Sequence, residues 1–141
     1  MSIQSKQAGY SGTPLPKKLG IKEGFTICVR GGPPDYAALV APLPAGVRMA
    51  SKITAATDLV HIFSKQAAKL DKELAAARKA LRDDAMIWVS WPKKSSGVST
   101  DIVEDSVREI AFPLGLVDVK VCAVDDVWSG LKLVVRKAIR R

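Results

Sequence analysis

A chain of 141 residues with 48% hydrophobic content is long enough to bury a core, and that length favours one domain over two. Its net charge of +8 is uneven, because residues 101–126 hold seven acidic side chains against Arg108 and Lys120, so a basic and an acidic surface coexist. No apolar run approaches the ~20 residues needed to cross a bilayer, and Met1 to Gly12 has no apolar stretch of signal-peptide length, which gives the expectation of a soluble cytoplasmic protein.

Residues 1–24 are polar, rich in Gly, Pro and Lys, and lack periodicity until Leu19 and Ile21; they read as an arm laid on a single domain of residues 25–141. Phe25 to Arg30 reads as a first strand, broken by Gly31-Gly32-Pro33-Pro34, and Asp35 to Ala41 has room for a short helix before Pro42 and Pro44 stop it. A brief strand follows near Val47 to Ala50. Asp58 to Phe63 is a continuous apolar run, the pattern of a parallel strand covered on both faces. Beyond it Leu70, Leu74, Ala77 and Leu81 recur at helical spacing, leaving Lys69, Lys72, Glu73, Arg78 and Lys79 for solvent. Ala85 to Trp91 is a strand whose alternation sends Trp88 and Trp91 to opposite faces. A second helix is expected over Asp101 to Ala111, capped by Thr100, with Val103, Val107 and Ile110 as its buried stripe and Pro113 to Gly115 as its stop. Val117 to Val124 and Leu131 to Lys137 then form an antiparallel pair.

This alternation implies a single mostly parallel α/β sheet with helices on both faces and a C-terminal antiparallel hairpin. With Asp58 opening a strand and Ala85 to Pro92 following an alanine-rich helix, the layout resembles a reduced class I methyltransferase fold, a Rossmann-like sheet. A closer resemblance rests on Tyr10-Ser-Gly-Thr-Pro-Leu-Pro-Lys-Lys-Leu-Gly-Ile21, Trp91-Pro-Lys-Lys-Ser-Ser-Gly-Val98, Lys120-Val-Cys-Ala-Val-Asp125 and Trp128-Ser-Gly-Leu131. In combination these are similar to a small bacterial family, a domain of unknown function, which supports the fold and brings no activity to transfer.

The candidate sites follow from position. Gly31-Gly32 stands where a nucleotide-binding fold keeps its phosphate loop, but Pro33 and Pro34 offer no N–H and the three-glycine spacing is absent, so a tight-packing turn is the better reading. No acid lies between Asp35 and Asp58 to hold a ribose diol; Arg48 and Lys52 occupy that stretch. Both observations argue against adenosylmethionine or NAD held in the usual way. Lys93, Lys94, Ser95 and Ser96 with Gly97 have the chemistry to cradle a phosphate, whereas Asp101, Glu104 and Asp105 just beyond would repel an anion and offer the lysines partners. His61, the only histidine, is read as packed or merely hydrogen-bonded, with no neighbouring serine or cysteine suggesting a triad. Asp125 and Asp126 fit turn chemistry. Cys28 and Cys122 read as free thiols in a reducing compartment, and nothing in the spacing suggests a metal site or resident cofactor.

These readings converge on a non-catalytic cytoplasmic binding or interaction module. Its expected ligand or partner surface joins Gly31 and Gly32, the loop Trp91, Lys93, Lys94, Ser95 and Ser96, and the connector Trp128 and Ser129, all near one end of the sheet. An anionic small molecule or a protein is the expected occupant. Two alternatives stand beside it: a small methyltransferase-type enzyme holding adenosylmethionine atypically, and a basic nucleic-acid accessory protein using Lys17, Lys18, Arg136, Lys137, Arg140 and Arg141. Base-stacking aromatics are scarce for the latter, at 6% of the chain.

Overall fold

The computed structural model describes residues 12–139. A short helix α1 (Leu15–Leu19) is followed by β1 (Thr26–Arg30), a single helical turn α2 (Tyr36–Leu39), and strands β2 (Arg48–Ala50) and β3 (Leu59–Phe63). Helix α3 (Ala67–Ala80), β4 (Met86–Pro92), helix α4 (Glu104–Ala111) and the hairpin strands β5 (Leu116–Ala123) and β6 (Trp128–Val135) complete the chain. The six strands make one sheet in the order β2-β1-β3-β4-β6-β5, with β2, β1, β3 and β4 parallel and β6 antiparallel to both β4 and β5. This is the α/β architecture that the alternation of strand-like and helix-like segments implies.

Period-2 alternation divides the core between the two faces of the sheet. On one face Val60, Ile62, Ile87, Val89, Trp91, Leu131 and Leu133 pack against Leu70, Leu74 and Ala77 of α3 and Val107 and Ala111 of α4. On the other, Ile27, Leu59, Phe63 and Trp88 are covered by Leu19, Ile21, Tyr36 and Val40. Trp88 and Trp91 therefore face opposite layers, as an odd spacing in a strand requires. All five residues of β3 are buried, which accounts for a run with no polar alternation.

Residues 14–24 cross the second face. Gly20 ends α1 in the left-handed conformation at φ +81°, turning the chain so that Leu19 and Ile21 both point inward. The carbonyl of Leu19 accepts a 2.9 Å hydrogen bond from the Trp88 indole N–H, a link across 69 positions of sequence. At the amino ends of the parallel strands, Asp58 accepts the Thr26 N–H at 2.8 Å and an Arg82 guanidinium N–H at 2.5 Å. Arg82 also donates to the carbonyls of Ala55 and Thr57, pinning the loop before β3.

Helix α4 begins three residues later than Asp101. Thr100 does not cap it: its hydroxyl donates to the Lys65 carbonyl, and Asp101 accepts the Ala67 N–H at 2.7 Å, so this pair closes the start of α3 instead. Val103 consequently sits outside the helix and 59% exposed, and Ile102 takes the buried position expected of it.

Replacing Trp88 by Phe leaves the Leu19 carbonyl without its donor and opens space in a fully buried site. The expected loss is about 2–4 kcal/mol in urea unfolding, accompanied by faster proteolysis within residues 14–24 than elsewhere in the chain.

Candidate ligand-binding cleft

The chain leaves β1 towards β2 on one side and returns to β3 on the other, so the carboxyl ends of β1 and β3 diverge. In open α/β sheets such a switch point leaves a crevice. Here it is a cleft of about 490 Å³, lined by Gly31, Gly32, Pro33 and Pro34 after β1, by Phe63 to Gln66 after β3, by Lys69 in the first turn of α3, and by Trp128. Among the described residues Lys65 and Lys69 are its charged groups, both exposed, and no carboxylate lines it.

Gly31 is a glycine because of its neighbour. It lies at φ +68°, and a Cβ there would stand 2.6 Å from the Phe63 carbonyl oxygen. A Cβ on Gly32 would stand 2.6 Å from Val29 Cγ1. Both glycines thus allow the turn to lie tightly on β3 and β1.

The aromatic wall is continuous. Phe63 meets Trp128 edge-on at 5.0 Å and Tyr36 edge-on at 5.7 Å, and it stacks on His61 at 4.2 Å. Behind it His61 Nδ1 lies 3.0 Å from the Tyr36 hydroxyl and Nε2 lies 2.8 Å from Ser90 Oγ. A serine therefore does stand beside the histidine, contrary to expectation, brought by β4 from 29 positions away. His61 and Ser90 have no solvent exposure, and burial lowers the imidazole pKa to about 3 and raises that of the Tyr36 phenol. The histidine is neutral, with one ring nitrogen donating and the other accepting, and it braces the wall from inside.

The remaining predicted residues lie around the cleft in different ways. Trp91 is 6% exposed and belongs to the layer beneath α3 and α4, so it does not line the cleft. Ser129 pairs with Trp91 and with Ala123 in the sheet register. The Lys93 N–H donates to the Val127 carbonyl at 2.7 Å, which sets this loop against the residue before Trp128. Ser96 turns back to donate to the Lys93 carbonyl at 2.6 Å, while Lys94 and Ser95 are exposed. Glu104 and Asp105 are held by Arg108, which also reaches Asp118 and whose guanidinium pKa is raised by these contacts. Asp125 accepts the N–H groups of Val127 and Trp128, an Asx turn that aims the indole. Phe63, Ser64, Lys65, Gln66 and Lys69 are cleft residues absent from the sequence-derived surface; their signal was their place at the carboxyl end of an apolar strand.

The sheet and its switch-point cleft define a class I methyltransferase-like Rossmann fold. Solved structures bear this out: a candidate type 11 methyltransferase from Sulfolobus solfataricus aligns with TM-score 0.64 over 90% of this chain and 92% of its own, at 14% identity. A SAM-dependent methyltransferase from Aquifex aeolicus aligns with TM-score 0.56 over 86% and 88%, at 15% identity. The Methanococcus jannaschii fibrillarin pre-rRNA processing protein aligns with TM-score 0.54 over 82% and 68%, at 14% identity. No curated protein sequence matches the chain. The chain belongs to the protein family of unknown function DUF3052, whose model matches residues 49–137. Among the described residues no group of three or more His, Cys, Asp or Glu side chains is placed to hold a metal ion, and no helix is long and apolar enough to cross a membrane.

Two measurements test this construction. Gly31→Ala places a methyl against a carbonyl at a positive φ and is expected to cost roughly 3 kcal/mol, whereas Gly97→Ala, at φ +76° with open space around it, should cost about 1 kcal/mol. Because the pKa of His61 falls from 6.5 to about 3 on folding, the unfolded chain takes the proton first. Its contribution to stability is full above pH 6.5 and declines as the pH falls towards 3. Unfolding free energy should drop by about 1.4 kcal/mol between pH 7.5 and 5.5, and His61→Gln, which leaves no histidine in the chain, should flatten that slope.

Proposed function

We propose that this protein is a ligand-binding module without catalytic chemistry of its own, and that the cleft between β1 and β3 takes an anion bearing a flat ring, such as a nucleotide. The observation that carries the reading is the lining itself: two lysines on one lip, Phe63 and Trp128 on the wall, and no carboxylate. Lysines offer a phosphate point charges, and the partly exposed Trp128 indole, backed by Phe63, offers a ring a stacking surface. The surface would extend outward over Lys93, Lys94, Ser95 and Ser96, which adjoin Trp128 through the Lys93 to Val127 hydrogen bond. Two cysteines that stand as free thiols support a reducing compartment, the cytoplasm.

Adenosylmethionine, which the fold brings to mind, does not fit these residues. Its cationic sulfonium finds no carboxylate among the lining residues to offset it, and Lys65 and Lys69 add positive charge to the same cleft.

Titration of the full chain with ADP, adenosylmethionine and adenosylhomocysteine, followed by tryptophan fluorescence, tests the proposal, since Trp88 and Trp91 are buried and Trp128 lines the cleft. ADP is expected to quench Trp128 and to bind at least about tenfold more weakly to K65E/K69E, whose exposed positions leave the core untouched. Preference for adenosylmethionine would restore the enzyme reading. Salt-sensitive binding of RNA or DNA without any nucleotide response would favour a nucleic-acid accessory role.

A further inference from the structure

A second cationic groove lies where residues 14–24 cross the terminal hairpin. A groove of about 460 Å³ is lined by Lys17, Lys18 and Lys120 together with the thiol-bearing Cys122. The Lys120 ammonium donates to the Lys18 carbonyl at 3.1 Å, which holds it over the end of α1. Directly across the sheet from Lys120 stands Lys132, and a Cβ on Gly20 would lie 3.8 Å from the Lys132 ammonium. Like charges placed opposite each other in an antiparallel pair oppose folding.

The crowding of charge is visible in the groups around it. Partial burial lowers the Lys132 pKa, and the charges of Lys120 and Lys22 lower it further. Burial raises the Cys122 thiol, while Lys18 and Lys120 pull it down. Among the described residues none of Lys17, Lys18, Lys22, Lys120 and Lys132 forms an ion pair with a carboxylate. Of the acids of this hairpin, Asp118 holds Arg108 and Asp125 closes its own turn. A shaped groove thus gathers several ammonium groups and leaves their charge unmet within the fold.

We propose that this groove binds a small polyphosphate, an anion with two or more linked phosphate groups. Its volume is that of a single small molecule. Three ammonium groups in one groove call for more than one negative charge, and among the described residues no aromatic side chain lines it to stack the bases of a nucleic-acid strand. Bound there, the anion would offset the Lys120 and Lys132 repulsion and cover Cys122. This site is separate from the switch-point cleft and stands whether or not that cleft binds a nucleotide.

The test is calorimetric titration of the full chain with inorganic tripolyphosphate at fixed ionic strength. Tripolyphosphate is expected to bind more tightly than inorganic phosphate, to weaken at least about tenfold in K18Q/K120Q, and to be unaffected in K65E/K69E. Without ligand, Lys120→Gln should raise the unfolding temperature, because the opposed charges are gone. In the unaltered chain tripolyphosphate should slow alkylation of the half-buried Cys122, a readout that needs no variant and is distinct from the fully buried Cys28. Equal affinity for unaltered chain and K18Q/K120Q, loss confined to K65E/K69E, or no protection of Cys122 at saturating tripolyphosphate would each overturn the proposal. So would a single-stranded RNA that binds through Lys18 and Lys120 more tightly than tripolyphosphate, since that assigns the patch to nucleic acid.

Discussion

The indole of Trp88 stands in β4, wholly buried, at the point where the parallel strands meet the antiparallel hairpin. It fits because β6 presents Gly130 there: a Cβ on that residue would press to 3.2 Å of the ring. Its single polar atom is satisfied by the Leu19 carbonyl, so the segment before β1 lies where the indole N–H can reach it. Burying the ring without that acceptor would strand a donor in an apolar layer, at a cost comparable to a lost hydrogen bond. One side chain thereby couples the hairpin, the central strands and residues 14–24. The lysine groove exists because this coupling brings α1 over Lys120 and Cys122.

From Trp88 the same face runs through His61 and Phe63 to Trp128 at the carboxyl edge. A lone histidine in an apolar strand invites a catalytic reading, but the geometry uses it differently. Its two nitrogens bridge Tyr36 on one side of the layer and Ser90 in the next strand, and its ring supports Phe63. A neutral imidazole satisfies a donor and an acceptor at once, which neither a carboxylate nor an ammonium does. The cleft wall is therefore fixed from behind, and what faces the cleft is aromatic surface and two lysines rather than a titrating acid–base pair.

Much of the architecture was legible because it follows from local rules. The apolar run of β3, the helical spacing of Leu70, Leu74 and Ala77, and the opposite facing of Trp88 and Trp91 all come from side-chain periodicity. The proximity of Gly31, Gly32 and Trp128 followed from strand order. What stayed hidden depended on partners far apart in the chain. Asp101 and Thr100 read as the opening of α4, yet they serve α3, because the loop after β4 returns across the start of that helix. Ser90 beside His61, and Lys120 opposite Lys132, are products of strand pairing that no short window contains. Lys69 read as an ordinary solvated helix residue and Lys65 drew no reading, yet the switch point gives both a cleft to face.

The distribution of charge is also a product of folding. Along the chain residues 101–126 are acidic, and Asp118 and Lys120 are near neighbours in β5. In space they part: Asp118 joins Glu104 and Asp105 around Arg108, where opposite charges satisfy one another, whereas Lys120 turns towards α1 and Lys132. A β-bulge between Asp118 and Lys120 marks the place where the strand changes register and the two kinds of surface separate. Exposed ion pairs such as those at Arg108 contribute little stability, but they consume the acids that would otherwise screen the lysines. Five of the lysines line concave surface, Lys65 and Lys69 in one cleft and Lys17, Lys18 and Lys120 in the other, and concavity with unmatched charge is the physical condition for selecting an anion by shape as well as by sign.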